Sequence, residues 1–163
     1  MKKLRGIRTD YTRASLHDSE IPQNPYKLLC LWMDNAISEK IPEPTAICLS
    51  TVKSNGRVNS RIVLAKEIQE GGLVFFTNYN SAKGQDIAKN PSASAVFFWA
   101  EMQRQIRIEG TIAKISEKDS DEYYMERPKL SKIGAWASPQ SQVLQSRNEL
   151  EQLVEKFQKE LEQ

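Results

Sequence analysis

The chain has 163 residues, 39% of them hydrophobic and 27% charged, which is ordinary for a soluble globular protein and long enough to bury a core without disulfide or metal staples. No apolar run approaches the length that crosses a bilayer, and the basic opening "MKKLRGIRTDYTR" is not followed by the apolar core of a signal peptide, so the expected compartment is the cytoplasm. A net charge of +2 argues against nucleic-acid binding through a basic stripe, and the single histidine, His17, excludes a multi-histidine metal site.

Residues 1 to 23 show neither helical nor strand periodicity and read as an arm; residues 24 to 163 read as a single domain. Asn24 and Pro25 form a cap and first-turn pair for a helix to about Lys40, with Leu29, Trp32, Met33, Ala36 and Ile37 as its buried stripe. From Thr45 the texture changes. "TAICLSTV", the Asn55-Gly56 hairpin signal, "RVNSRIVLAK", a Gly71-Gly72 turn and "LVFFTN" describe consecutive antiparallel strands. A short helix over about Ser81 to Lys89 is stopped by Asn90-Pro91, and "SASAVFFWA" and "RQIRIEGTIAKIS" read as two more strands. In the second of these Ile106, Ile108 and Ile112 keep one phase and Ile115 takes the other, which predicts a bulge or sharp twist between Gly110 and Lys114. Ser116 with Asp119 resembles a capping box opening a helix to about Arg127, ended by Pro128. A last helix carries Leu150, Leu153, Val154, Phe157 and Leu161. Cys30 and Cys48 have no paired spacing and are expected as buried thiols. The fold class is mainly β with flanking helices (α+β): an antiparallel meander of five or six strands, expected to form a closed or nearly closed small barrel because closure removes exposed edges.

The strand "SRIVLAK" sets two cations on opposite faces, since Arg61, Val63 and Ala65 share one phase and Ile62, Leu64 and Lys66 the other. Tyr123 and Arg127 are four apart on one helix face, and Ser131 follows the Pro128 break. With Lys66 they would make a donor-only cage for a dianionic phosphate, although the same spacing suits an exposed aromatic-cation pair. A second set comprises Lys83, near the start of a helix, where free N–H groups favour an anion, together with Gln105, Gln140 and Ser141. Taken singly, these also read as solvated polar residues.

The ordered blocks "RIVLAK", "FFTNYNSAKG", "FFW" then "RQIRIEG", "YYMERP" and "SKIGAWASPQS", with "RTDY" near the start, closely resemble the pyridoxine (pyridoxamine) 5′-phosphate oxidase family over nearly the whole chain. The resemblance implies a homodimer with an FMN-binding split-barrel fold and shared active sites. It implies oxidation of pyridoxine or pyridoxamine 5′-phosphate to pyridoxal 5′-phosphate, with O2 reoxidising the flavin and becoming H2O2. Carried over by position, it implies that Arg61, Ile62, Val63, Leu64, Phe76, Thr77, Lys83, Gln105, Gln140 and Ser141 form the FMN site. Lys66, Tyr123, Arg127 and Ser131 would cage the substrate phosphate, and the arm from Arg8 to Tyr11 would close over the substrate. No residue is assigned a catalytic acid-base role.

Two departures stand out. Ala82-Lys83 replaces the family's usual Arg-Lys, which implies one flavin-phosphate contact fewer. The chain also stops at Gln163, before the family's closing segment with its tryptophan and Arg-x-His-Asp-Arg stretch, so the sequence reads as a truncated piece or a natural short relative. Three alternatives therefore stay open: another split-barrel flavoprotein such as a flavin reductase, a non-catalytic FMN- or pyridoxal-phosphate-binding module, and a small oligonucleotide-binding barrel.

Overall fold

A computed structural model describes residues 5–7, 10–13 and 15–161 of the chain. Helix α1 (Pro25–Ser38) begins where expected: the Asn24 side chain accepts the Tyr26 N–H at 2.9 Å, and Pro25 fills a first-turn position that needs no N–H. Leu29, Met33 and Ala36 are buried and Trp32 is half-buried, but Ile37 is exposed, so the buried stripe is narrower than the sequence suggests. The helix stops at Ser38 because Lys40 takes a left-handed φ of 55° and Ile41 N–H turns back to the Ala36 carbonyl.

Five antiparallel strands follow: β1 (Ala46–Val52), β2 (Val58–Gln69), β3 (Gly72–Phe75), β4 (Ser92–Trp99) and β5 (Arg104–Thr111). The first three form the expected meander. Helix α2 (Ala82–Lys89) then carries the chain across, and β4 returns to pair with β1, giving the order β3-β2-β1-β4-β5. The sheet is curled as a half-barrel, with β3 and β5 at its edges. Its inner face packs Ile47, Leu49, Ala65, Ala95, Phe97 and Trp99 against Leu29, Met33 and Ala36 of α1. The Trp99 indole N–H donates to the Pro44 carbonyl at 2.8 Å, which satisfies the one polar atom of that ring.

The structure departs from the sequence reading at three further points. The phase change near Ile115 is the end of β5 and not a bulge, since β4 and β5 pair without interruption from Trp99–Arg104 to Ser92–Thr111. The irregularity lies in β2 instead, where the register shifts between Ala65 and Glu67 and leaves Lys66 at the break. Pro128 ends α3 (Glu117–Glu126), capped by Ser116, as expected, but a helix that the sequence reading did not assign, α4 (Lys129–Ala137), follows it before α5 (Arg147–Glu160). Proline lacks only an N–H that the first helical turn does not use, so it ends one helix and opens the next. Lastly, Cys30 is exposed and Cys48 half-exposed, not buried.

Candidate functional site

The alternation of β2 divides the candidate residues between the two sheet faces. Arg61 pairs across to Leu49 on the inner face, whereas Ile62 pairs with Cys48, and Leu64 with Ala46, on the outer one. The Arg61 side chain is largely covered. Its Nη1 donates to the Leu49 carbonyl at 3.1 Å and to Thr51 Oγ1 at 2.9 Å; its Nη2 lies 3.9 Å from Asp86 Oδ2 and is buried with no hydrogen-bond partner.

Lys83 joins this site from the first turn of α2. Ser81 caps that helix by accepting the Gly84 N–H, and its hydroxyl donates to the Asn78 carbonyl, which fixes the entry of the chain. The Lys83 ammonium donates to Gln140 Oε1 at 2.6 Å, Thr77 Oγ1 at 3.0 Å and Ser81 Oγ at 3.5 Å, and the residue is buried. Its partners are neutral oxygens. Burial first, and the neighbouring Arg61 charge second, hold its pKa below the ordinary lysine value of 10.5. Lys83, Thr77 and Gln140 are thus brought together as the sequence reading expects. Ser141, in a left-handed conformation at φ 66°, is exposed beside them in the chain.

This cluster also holds residues that the sequence reading missed. Ser81 is visible in the sequence as a cap, but its contact with the ammonium is not. Thr51 has 0% exposure and links Arg61 to Asp86, donating to Asp86 Oδ2 at 3.0 Å. Its one sequence signal is a hydroxyl on the inner phase of β1, in line with Ile47 and Leu49.

Of the residues expected around the substrate phosphate, Tyr123 meets Phe76, which directly follows β3. The rings of Phe76 and Tyr123 stack in parallel, with centroids 3.5 Å apart and planes 8° from parallel, which ties a residue expected at the FMN site to one expected at the substrate phosphate. Arg127 is the C-cap of α3 and has extended backbone, so its side chain leaves the helix; Ser131 lies in the first turn of α4. Both are half-exposed, and Lys66 is exposed at the β2 irregularity. Val63 is half-buried against the core.

Gln105 does not join either set within one chain. It pairs with Phe98 on the outer face of the sheet, near the edge opposite β3. Ile62 at 64% exposure, Phe98 at 61% and Leu64 at 37% are exposed apolar residues on that outer face. In the arm, Tyr11 is exposed, while Arg8 lies outside the described residues. The arm is fastened beyond it: Arg13 pairs with Glu39, donates to the Glu101 carbonyl at 2.6 Å, and its N–H donates to Gln103 Oε1 at 3.0 Å.

The residues present fit the phosphate of a flavin mononucleotide. Arg61 offers a buried N–H group that has no acceptor, Lys83 a cation that has no carboxylate among its hydrogen-bond partners, and Thr77 and Ser81 hydroxyls beside it. Among the described residues no cluster of three or more metal-ligating side chains occurs, and no helix is long and apolar enough to cross a membrane.

Comparison with known proteins agrees with this geometry. A family model described as pyridoxamine 5′-phosphate oxidase matches residues 33–160. The pyridoxine/pyridoxamine 5′-phosphate oxidase of Trichormus variabilis is 44% identical over 161 residues, covering 99% of this chain and 75% of that protein. The enzyme of the same name from Mannheimia succiniciproducens is 49% identical over 150 residues, covering 92% and 71%. Among solved structures, PhzG from Burkholderia lata 383, in complex with tetrahydrophenazine-1-carboxylic acid, aligns with a TM-score of 0.84 and 28% identity over 89% of this chain and 73% of its own. A pyridoxamine 5′-phosphate oxidase-related, FMN-binding protein from Nostoc punctiforme shares the fold, with a TM-score of 0.61 and 19% identity over 80% and 73%.

Proposed function

The chain belongs to the pyridoxamine 5′-phosphate oxidase family, and from that membership and the anion site we propose that it oxidises pyridoxamine or pyridoxine 5′-phosphate to pyridoxal 5′-phosphate, using FMN and passing the electrons to O2 to give H2O2. The observation that carries this reading is the buried Lys83 ammonium beside an Arg61 nitrogen without an acceptor. Two cations placed together under desolvation are costly, Asp86 offsets that charge only in part, and the flavin phosphate would complete the balance.

When bound, FMN would supply the acceptor for a hydride, that is two electrons with one proton, a chemistry that no protein side chain provides. The work of the chain is placement. Arg61, Lys83, Thr77 and Gln140 hold one phosphate, while Lys66, Tyr123, Arg127 and Ser131 hold that of the substrate. The stacked Phe76 and Tyr123 rings join the two sites, so the substrate is oriented by its phosphate, and binding energy from a non-reacting group positions the reacting carbon. Tyr11 and the neighbouring Arg8 would close over the substrate from the arm, excluding water.

Gln105 and the apolar Ile62, Leu64 and Phe98 lie on the outer face, away from Lys83, which supports a homodimer in which each flavin site takes residues from both chains. The test is turnover: FMN-loaded protein supplied with pyridoxamine 5′-phosphate in air should release pyridoxal 5′-phosphate and peroxide together. Tetrahydrophenazine-1-carboxylic acid, the compound bound by PhzG, serves as the competing substrate. Oxidation of that compound without oxidation of pyridoxamine 5′-phosphate would reject the proposal.

A further inference from the structure

We propose that Thr51 and Asp86 are positioning residues of the anion site: they clamp the Arg61 guanidinium so that its free Nη2 edge faces the incoming phosphate, and Asp86 in addition sets the net charge that the phosphate meets. The inference rests on reading the Arg61–Lys83 cluster as the FMN phosphate site.

The clamp follows from counting protons. Both N–H bonds of Arg61 Nη1 are used, one to the Leu49 carbonyl at 3.1 Å and one to Thr51 Oγ1 at 2.9 Å. The Thr51 hydroxyl has a single proton, and it goes to Asp86 Oδ2 at 3.0 Å, so the hydroxyl accepts from the arginine and donates to the carboxylate. Its rotamer is thereby fixed from both sides. Asp86 itself is 3.9 Å from Arg61 Nη2, beyond hydrogen-bond range, and leaves that nitrogen buried and unpartnered. The planar guanidinium cannot turn about its stem without breaking both Nη1 bonds, so one edge is anchored to β1 and the other is kept available.

Thr51 does this without touching a ligand. It has 0% exposure and lies on the central strand β1, and Asp86 lies one helical turn beyond Lys83 on α2, so the clamp also couples the two elements that carry the cations. Among the described residues Asp86 is the one carboxylate paired with either cation. A phosphate entering the site therefore binds against a partly offset charge.

The experiment compares FMN with riboflavin, which carries the same ring and no phosphate, by fluorescence titration of the purified protein. Thr51→Val preserves side-chain shape and removes the hydroxyl. Expected is a roughly tenfold loss of FMN affinity, one hydrogen bond to a charged group, with riboflavin affinity unchanged. Thr51→Ser should restore the wild-type preference for FMN. Asp86→Asn retains an acceptor for the threonine while removing the charge, so FMN should bind several-fold more tightly and riboflavin as before. If wild type prefers FMN and Thr51→Val keeps that preference, or loses both ligands equally, the clamp is refuted while the phosphate site stands. Weaker FMN binding by Asp86→Asn refutes the charge-setting role and does not depend on how well the valine variant folds. Equal affinity of wild type for FMN and riboflavin overturns the phosphate site and the clamp together.

Discussion

Replacing Lys83 with methionine keeps the length of the side chain and removes its ammonium, which separates the contribution of this group to folding from its contribution to ligand capture. In the ligand-free protein the ammonium has two strong neutral acceptors, Gln140 Oε1 at 2.6 Å and Thr77 Oγ1 at 3.0 Å, and a weak one, Ser81 Oγ at 3.5 Å. Desolvating a cation costs several kcal/mol, and each charged hydrogen bond returns about 1.5–3 kcal/mol, so two of them nearly offset the burial. The variant should therefore unfold within about 1 kcal/mol of wild type when no ligand is present. With FMN the balance changes, because the ammonium then meets a dianion; its loss should weaken FMN by about 1.5–3 kcal/mol, roughly ten- to a hundredfold. The pH dependence has a definite sign. The folded-state pKa of Lys83 lies below 10.5, so between the two values the unfolded chain binds more protons and this group's contribution to stability rises with pH. FMN affinity should fall over the same window as the charge is lost, and both trends should vanish in Lys83→Met. Denaturant unfolding and flavin titration, each against pH, measure this. A large loss of ligand-free stability with unchanged FMN affinity would refute the reasoning and make Lys83 a structural residue.

Arg127→Ala should weaken pyridoxal 5′-phosphate binding by roughly ten- to a hundredfold while leaving FMN binding intact; titration with both ligands checks this, and equal losses would reject the substrate cage. Phe76→Ala removes the ring stacked 3.5 Å from Tyr123, a contact worth about 0.5–1.5 kcal/mol beyond its buried area, so the protein should lose stability and pyridoxal-phosphate affinity together. Ile62→Asp places a carboxylate among the exposed apolar residues of the outer face, and sedimentation should then show monomers with weakened FMN binding; an intact dimer would move the interface elsewhere.

The elements with local causes were legible in the sequence. Asn24-Pro25 opened α1, Ser116 and Asp119 opened α3, and Gly71, at φ 106°, turned β2 into β3, because caps and turns are set by neighbours a few residues away. Helix α4 was hidden by Pro128, which signals both a stop and a start, and it has no capping side chain to mark it. Ile37 and Cys30 were assigned to the interior by residue type alone, yet both lie on the open side of α1. The return of β4 to β1 and the alternation of β2 depend on long-range pairing, so the division of Arg61 from Ile62 and Leu64 was legible as a phase but not as two separate surfaces. The burial of Lys83 was least legible, because its closest partner, Gln140, is 57 residues away in sequence. The family resemblance supplied these residues as a group; the Thr51–Asp86 link came only with the fold.

The most direct measurement is the absorption spectrum of the FMN-loaded protein, recorded anaerobically before and after one equivalent of pyridoxamine 5′-phosphate and again after air is admitted. Expected is bleaching of the visible flavin band on adding the amine and its full return with oxygen, with pyridoxal 5′-phosphate recovered in proportion. A flavin band that stays unchanged after the amine is added, in protein shown to bind both FMN and the substrate, would contradict the proposed oxidation and leave the chain as a binding module.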